Sequence, residues 1–154
     1  MTYDLDCSKE IAVRIAKAMA NLKALDKIWK SKAITLKTKL SILKTCVFST
    51  MLYGCKTWTV TKRCENQIFS FEKKCYRKIL KIGWTQKVTN KELYRKIQLA
   101  ETLLQKVIQW KLRLFGHICI MDDSRKIKTM VFEMIDGSNK NGRPHREWSD
   151  DIEQ

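Results

Sequence analysis

The sequence predicts an all-α fold, a compact domain of about six helices without a substantial sheet. Apolar residues recur at intervals of three and four through most of the chain, which is the period of one helix face. The only proline is Pro144, so long helices can continue without interruption. No run sustains the alternation of apolar and polar residues that a half-buried strand requires, and the only strand-like stretch, 57–60, is short.

The first two helices are predicted over residues 8–29 and 35–53. The apolar stripe of the first is formed by Ile11, Ile15, Met19, Leu22 and Leu25. Thr35 has the side chain and the position of an N-cap for the second. The last turns of that helix, residues 46–53, are apolar on nearly every side, so we expect them to lie deep in the core.

The later helices have clearer signals at their ends. Thr61 is placed to cap the third helix, and Thr89 with Glu92 has the spacing of a capping box at the start of the fourth. Further helices are predicted over residues 101–115 and 125–135, with a last helical segment from Pro144. Apolar periodicity stops at Gly54, Gly83, Gly116 and Gly137, as it does at the glycines that end helices.

Positive charge is the strongest bulk property of the chain, and it is unevenly distributed. The net charge is +15. Residues 1–60 carry 11 basic and 4 acidic side chains, residues 61–120 carry 14 and 4, and residues 121–154 carry 6 and 8. A field of this size favours a polyanion, with nucleic acid as the first class of partner and an acidic membrane surface as the second. A basic protein that binds neither is the alternative.

The composition gives no indication of a membrane span, a secretion signal or a metal site. No apolar run approaches the roughly 18 residues that a bilayer requires, and Asp4 and Asp6 stand where a signal peptide needs basic and apolar residues. We therefore expect an intracellular protein. Its six cysteines include no C-x-x-C pair, so we expect reduced thiols and neither a zinc ion nor another cofactor.

The acidic pairs and histidines do not form a recognisable catalytic constellation. Asp122 and Asp123 look superficially like a polymerase metal site, but such a site needs a strand hairpin and a third carboxylate. We interpret the pair as the start of a helix. His117 and His145 have no nucleophile at a recognisable spacing, and Asp150 with Asp151 has no identifiable partner. The sequence therefore predicts no catalytic residues, and an autonomous enzyme is the least favoured hypothesis.

Basic side chains crowd the exposed side of the third helix and the link before the second. Like charges repel one another there, and binding to phosphates would relieve that repulsion. The predicted phosphate contacts are Lys30, Lys32, Lys73, Lys74, Arg77, Lys81 and Arg113. Trp29 and Trp84 lie beside lysines near helix ends and are candidates for base stacking. Packing in or around the core is the alternative for both tryptophans.

Several blocks of the sequence resemble one known family. Residues 52–59, LYGCKTWT, resemble the LLYGCETWT signature that follows the palm in reverse transcriptases of LINE-like (non-LTR) retrotransposons. Residues 71–80, 89–90, 113–123 and 142–152 are similar to later blocks of that family. The blocks occur in the family's order and cover essentially the whole chain. Lys56 replaces the usual Glu, and Glu147 stands where a basic residue usually precedes the Trp.

The resemblance implies a non-catalytic fragment. In such enzymes the polymerase carboxylates and the endonuclease lie upstream of the first helix. Residues 1–83 would then form a thumb-like helical region that holds a primer–template duplex. Residues 84–154 would form a C-terminal helical region that engages element RNA or target DNA. One continuous domain is the alternative to this division.

Two functional hypotheses follow. The first is a nucleic-acid-binding helical module that contacts RNA, DNA or an RNA–DNA hybrid without sequence preference, and the resemblance adds an expectation of nuclear location. The second is an inert retroelement relic or a protein-interaction module with no nucleic-acid role. An absent palm would leave the apolar residues 46–53 as an exposed patch, through which the chain could self-associate.

Overall fold

Helices and turns make up the structure in residues 7–83, 85–132, 148 and 152, the part of the chain that a computed structural model describes. No strand occurs in that part, and 57–60 runs from a short helical turn into extended backbone without pairing. The predicted all-α class is therefore confirmed.

The first predicted helix is two helices. Helix α1 covers Ser8–Ala24, and α2 covers Asp26–Lys30 after an interruption at Leu25, whose φ is −88° and ψ is 14°. The interruption serves the packing of Trp29, which is 1% exposed and donates from Nε1 to the Leu22 carbonyl at 2.8 Å. The single helix predicted over 8–29 is therefore corrected to two helices, separated at Leu25.

The second predicted helix is continuous but irregular. Helix α3 covers Leu36–Ile42, a π-helical turn covers Leu43–Phe48, and α4 covers Ser49–Leu52. The Thr35 cap is confirmed, because its side chain accepts a hydrogen bond from the Thr38 amide at 3.3 Å. A 3₁₀ turn over Cys55–Thr57 follows Gly54, whose φ of 76° fits a residue without Cβ.

The apolar end of this helical unit lies in the core. Buried side chains there are Val47, Phe48, Met51 and Leu52. Cys46 and Tyr53 are exposed, the latter at 69%. The expected exposed patch over 46–53 is thus absent from the structure, because α1 and the helix that follows Thr61 cover it. Self-association of the chain stays a prediction.

Helix α5 covers Lys62–Ile79 and is the central helix of the fold. The Thr61 cap is confirmed by a hydrogen bond from the Cys64 amide at 3.4 Å. Two residues after the helix, Lys81 has a φ of 54°, and the Ile82 amide bonds the Arg77 carbonyl at 3.0 Å. This is the Schellman type of helix ending, with a lysine where glycine is usual. The expectation that Gly83 ends the helix was wrong.

The next two helices begin as predicted. Helix α6 covers Asn90–Ile97, and its capping box is confirmed by the Glu92 amide bonding Thr89 Oγ1 at 3.3 Å and the Thr89 amide bonding Glu92 Oε2 at 2.9 Å. Helix α7 covers Leu103–Ile120. It continues through Gly116 because Ile118, 3% exposed, still packs inward, so the prediction that Gly116 ends the helix was wrong.

The last described helix, α8, covers Lys126–Phe132. It matches the first part of the helix predicted over 125–135. The remainder of that helix, Gly137 and most of the segment from Pro144 lie outside the described residues. Trp148 is described and contacts α7.

One hydrophobic core includes residues from both predicted regions: Ile11 and Phe71 lie before residue 83, and Leu93 and Val107 lie after it. Helix α7 runs antiparallel to α5, since its first residue contacts the second half of α5 and its middle contacts Trp58, before α5 begins. The boundary at residue 83 stays a prediction. Among the described helices, none combines the length and the apolar character needed to cross a membrane.

Candidate nucleic-acid interface

A basic ridge runs along the outward face of α5. We define the α5 ridge as Arg63, Lys73, Lys74 and Arg77. At 3.6 residues per turn, these side chains lie within an arc of about 100° and extend over about 21 Å of helix. Arg63 and Lys74 are exposed, and Lys73 and Arg77 are half-buried.

The two acidic residues of α5 do not neutralise this ridge. Glu72 is fully buried. Glu65 forms an ion pair with Lys62, with 2.7 Å between Nζ and Oε2. Neighbouring cations one turn apart, such as Lys73 and Arg77, therefore repel one another across water.

A second group of cations surrounds Asp26 at the end of α5. Its carboxylate lies 2.6 Å from Lys30 Nζ and 2.8 Å from Lys78 Nζ. The hydrogen bonds from Lys30 and Lys78 lower the pKa of Asp26 to about 2, and the same pairing raises the pKa of Lys30. Lys32 is exposed nearby in sequence. Two cations on one carboxylate leave the group with excess positive charge.

Two lysines in this region hold the end of α2. Lys39 Nζ donates to the carbonyls of Trp29 at 3.0 Å and Ser31 at 2.6 Å, and Lys81 Nζ donates to the carbonyl of Lys30 at 3.0 Å. These carbonyls lie at the negative end of the helix dipole, where cations are stabilising. Lys81 thus tethers the end of α5 to α2, and it brings two predicted contacts, Lys30 and Lys81, together.

Some of the predicted phosphate contacts form hydrogen bonds with other residues of the chain, and others do not. Arg77 donates from Nη2 to the Val88 carbonyl at 2.9 Å and to Asn90 Oδ1 at 3.4 Å, which fixes the link from α5 to α6. Lys73 Nζ lies 5.7 Å from the centre of the Phe69 ring. Three predicted contacts are exposed and make no hydrogen bond or ion pair with any described residue: Lys32, Lys74 and Arg113.

Arg113 lies on α7 and is not part of the α5 ridge. It follows Lys111 on α7, and Lys111 Nζ donates to the carbonyl of Trp58 at 2.9 Å, beyond the start of α5. Lys30 and Lys81 lie beyond the other end of that helix, which at 18 residues is about 27 Å long. Sequence spacing could not reveal this, because the antiparallel course of α7 is a tertiary feature.

The base-stacking prediction was wrong for Trp29. Both faces of its indole are enclosed in the core, since the residue is 1% exposed, and its only donor is bonded to Leu22. Burial of an apolar ring with a satisfied N–H is the more stable arrangement. Trp84 lies outside the described residues.

Two cations outside the predicted set, Arg63 and Lys78, belong to this basic surface. Arg63 lies on the α5 ridge ten positions before Lys73, and a helical projection of the third helix could have placed it there. Lys78 approaches Asp26, a contact that depends on how α2 meets α5 and leaves no signal in the sequence.

The carboxylate pair before α8 has a structural role. Asp122 Oδ1 accepts from the Ser124 amide at 2.9 Å, and hydrogen bonding to Ser124 lowers the pKa of Asp122. Asp123 pairs with Lys128 at 2.5 Å. Helix α8 begins at Lys126, so the pair forms the turn before the helix and, contrary to the interpretation of the sequence, does not start it. No group of three potential metal ligands occurs among the described residues. His145, Asp150 and Asp151 lie outside them.

The six cysteines carry free thiols. Burial raises the pKa of Cys55 to about 11 and that of Cys75 to about 12. Thiols of this kind remain protonated at neutral pH and are poor nucleophiles.

Comparisons of the chain with family models, with curated proteins and with solved structures found no match.

Proposed function

We propose that this chain is a non-catalytic helical module that binds nucleic acid through the α5 ridge, without sequence preference, and that it derives from the thumb and C-terminal region of a LINE-like reverse transcriptase. The proposed partners are RNA, DNA or an RNA–DNA hybrid. The origin is supported by the ordered sequence blocks, and the activity is supported by the charge.

The α5 ridge is the single observation that carries the proposal. Four cations lie on one face of one helix with no acid among them, and the Asp26 group adds further positive charge near the helix end. An ordinary solvated face mixes both signs, because mixed charges attract. On the α5 ridge, phosphates would supply the negative charge that acidic side chains supply on an ordinary face. Counterions released from the nucleic acid then drive association.

The test is a binding titration with a labelled oligonucleotide at several salt concentrations. We expect log K to fall linearly with log [salt], with a slope corresponding to about four to six neutralised phosphates. The ridge variant Lys73→Glu with Lys74→Glu should weaken binding at least about tenfold, since it reverses two phosphate contacts. Arg77 is left intact because it holds the link to α6.

The matched control is Lys37→Glu with Lys44→Glu. Both lysines are exposed, lie on the helical unit after Thr35, and give the same change in net charge. Equal losses from the two pairs would mean that net charge alone attracts the ligand. A salt-independent affinity, or no binding by the unmodified chain, would refute the proposal.

The alternative, a relic or protein-interaction module, is favoured by a specific observation. Arg77 and Lys81, two of the predicted contacts, donate to backbone carbonyls and so stabilise the fold without any ligand. An unmodified chain that binds no nucleic acid at low salt would support that alternative.

A further inference from the structure

An apolar groove lies between α1 and α5, directly beside the α5 ridge. Its volume is about 330 Å³. The residues that line it are Ala12, Ile15 and Met19 from α1, and Gln67, Ser70, Phe71 and Lys74 from α5. The groove spans about two turns of each helix, or roughly 10 Å. It is open to solvent and is not part of the packed core.

The groove combines an apolar floor with an unsatisfied polar group. Phe71, which is 3% exposed, forms part of the floor together with Ile15 and Met19. The Oε1 atom of Gln67 is buried and has no hydrogen-bond partner among the described residues. A buried carbonyl oxygen without a donor costs about 1–3 kcal/mol. Rotation of this amide toward the groove would let an N–H group of an occupant satisfy it.

Lys74 belongs both to the groove and to the α5 ridge. A phosphate that contacts Lys74 therefore stands at the rim of the groove. The next cations of the ridge are Lys73 and Arg77, within one turn of Lys74. If the phosphates of a ligand bind along the α5 ridge, the groups linked to those phosphates therefore lie beside the apolar groove.

Building on the proposed function, we propose that this groove receives one unstacked base of a single-stranded nucleic acid whose backbone lies on the α5 ridge. A base has a flat apolar face for Met19, Ile15 and Phe71, and N–H groups for Gln67. The charge at the rim selects an anionic ligand. Duplex nucleic acid binds the same ridge but keeps its bases stacked and paired, so it cannot fill the groove without the cost of flipping a base.

The size of the groove favours a base over an acidic amphipathic helix. A helix docks through anchors at several successive turns and needs a longer channel. A volume of about 330 Å³ is at the lower end of sites for small, ring-sized ligands.

The experiment compares a single-stranded oligothymidine with a duplex of equal length, both labelled, at the same salt concentration. Ala12→Phe fills the groove from an exposed position without changing charge. We expect it to weaken single-strand binding about tenfold, since the stacking of one base is typically worth that much, and to leave duplex affinity unchanged. Ala24→Phe is the control, because Ala24 is exposed on the same helix and does not line the groove.

The outcomes separate this inference from the proposed function. If both ligands bind and Ala12→Phe affects single-strand affinity no more than Ala24→Phe does, the groove does not hold a base, while binding on the ridge stands. If neither ligand binds the unmodified chain, both proposals are overturned. Should Ala12→Phe lower the melting temperature, Ser70→Leu, which fills the groove from α5, takes its place with the same expected result.

Discussion

Glu72 is the least ordinary ionisable residue in the described part of the chain. Its side chain is fully buried, and its Oε1 accepts the amide of Leu103, the first residue of α7, at 3.0 Å. Burial raises the pKa of this carboxyl to about 7, although the Leu103 amide and the nearby Lys73 and Lys106 act in the opposite direction. The desolvation of the charged form therefore outweighs the favourable interactions.

The raised pKa predicts that stability falls as pH increases from about 4.5 to about 7. In this window the folded chain holds a proton on Glu72 that the unfolded chain has released, so each step upward in pH favours unfolding. Glu72→Gln keeps an acceptor for Leu103 and cannot ionise. We expect its free energy of unfolding to vary less with pH than that of the wild type, and to equal or exceed the wild-type value at pH above about 7.

Urea denaturation across this pH window measures the effect. Glu65→Gln is the control, since Glu65 forms a surface pair with Lys62, and pairs of this kind contribute little to stability. The interpretation fails if Glu72→Gln and wild type keep the same pH dependence, or if the wild type becomes more stable as pH rises through neutrality.

Tertiary contacts at single residues explain why the structure corrected the stacking prediction for Trp29. Trp29 lies beside Lys30 and Lys32 in sequence, which suggested an exposed ring near phosphates. Its burial depends on the interruption at Leu25, which turns the indole onto the Leu22 carbonyl. The sequence likewise did not distinguish Lys39 and Lys111 from surface lysines. They are 7% and 1% exposed, and their ammonium groups donate hydrogen bonds to backbone carbonyls.

Several helix beginnings and the helix end at Gly54 were predictable from the sequence, whereas the ends of α5 and α7 were not. The caps at Thr35, Thr61 and Thr89 are local, because a hydroxyl at the N-cap binds an amide three residues later. The ends depend on what packs beyond them. Lys81 adopts a left-handed conformation and donates to the Lys30 carbonyl of α2, and α7 passes Gly116 without stopping.

Trp148 contacts α7 and the 3₁₀ turn over Cys55–Thr57. Its Nε1 donates to the carbonyl of Lys56 at 2.7 Å, and its ring lies 6.4 Å from that of Phe115. Lys111 Nζ lies 5.1 Å from the indole ring, which is a cation–π distance. Trp148, which belongs to the sequence block 142–152, therefore contacts Lys56 of the block 52–59.

These contacts predict that Trp148→Ala destabilises the chain by about 1–3 kcal/mol, because it removes a ring contact, a cation–π contact and a hydrogen bond. Trp148→Phe keeps a ring and loses only the donor, so we expect a loss of about 1 kcal/mol. Urea denaturation followed by circular dichroism distinguishes the two. A Trp148→Ala chain as stable as wild type would show that Trp148 does not hold this part of the molecule.

At the scale of the whole molecule, the sequence predicted the uneven distribution of charge along the chain. It predicted the positions of those charges in space only in part. The helical period sufficed to place Lys73, Lys74 and Arg77 on one face of α5. It could not relate Arg113 to them, because Arg113 lies on α7, where Lys111, two residues earlier, contacts Trp58 before the start of α5. The candidate surface is therefore one ridge with a cationic group near its end, and not a ring of all seven predicted residues.

Repulsion between concentrated positive charges destabilises the chain when no ligand is bound. The melting temperature of the free chain should therefore depend on the salt concentration. With a net charge of +15, repulsion acts over the whole surface at low ionic strength. Between about 10 mM and about 100 mM NaCl the Debye length shortens from about 30 Å to about 10 Å, which is less than the length of the α5 ridge. We expect the melting temperature of the wild type to rise by a few degrees over that range.

The variant Lys73→Glu with Lys74→Glu separates ridge repulsion from attraction elsewhere. It replaces repulsive neighbours by attractive ones, so its melting temperature at low salt should exceed that of wild type and should depend less on salt. Salt also weakens favourable pairs, such as Asp26 with Lys30 and Lys78. A wild-type melting temperature that falls with added NaCl would mean that those pairs outweigh the repulsion. Repulsion within the α5 ridge would then not destabilise the free chain, and phosphate binding would have no such repulsion to relieve.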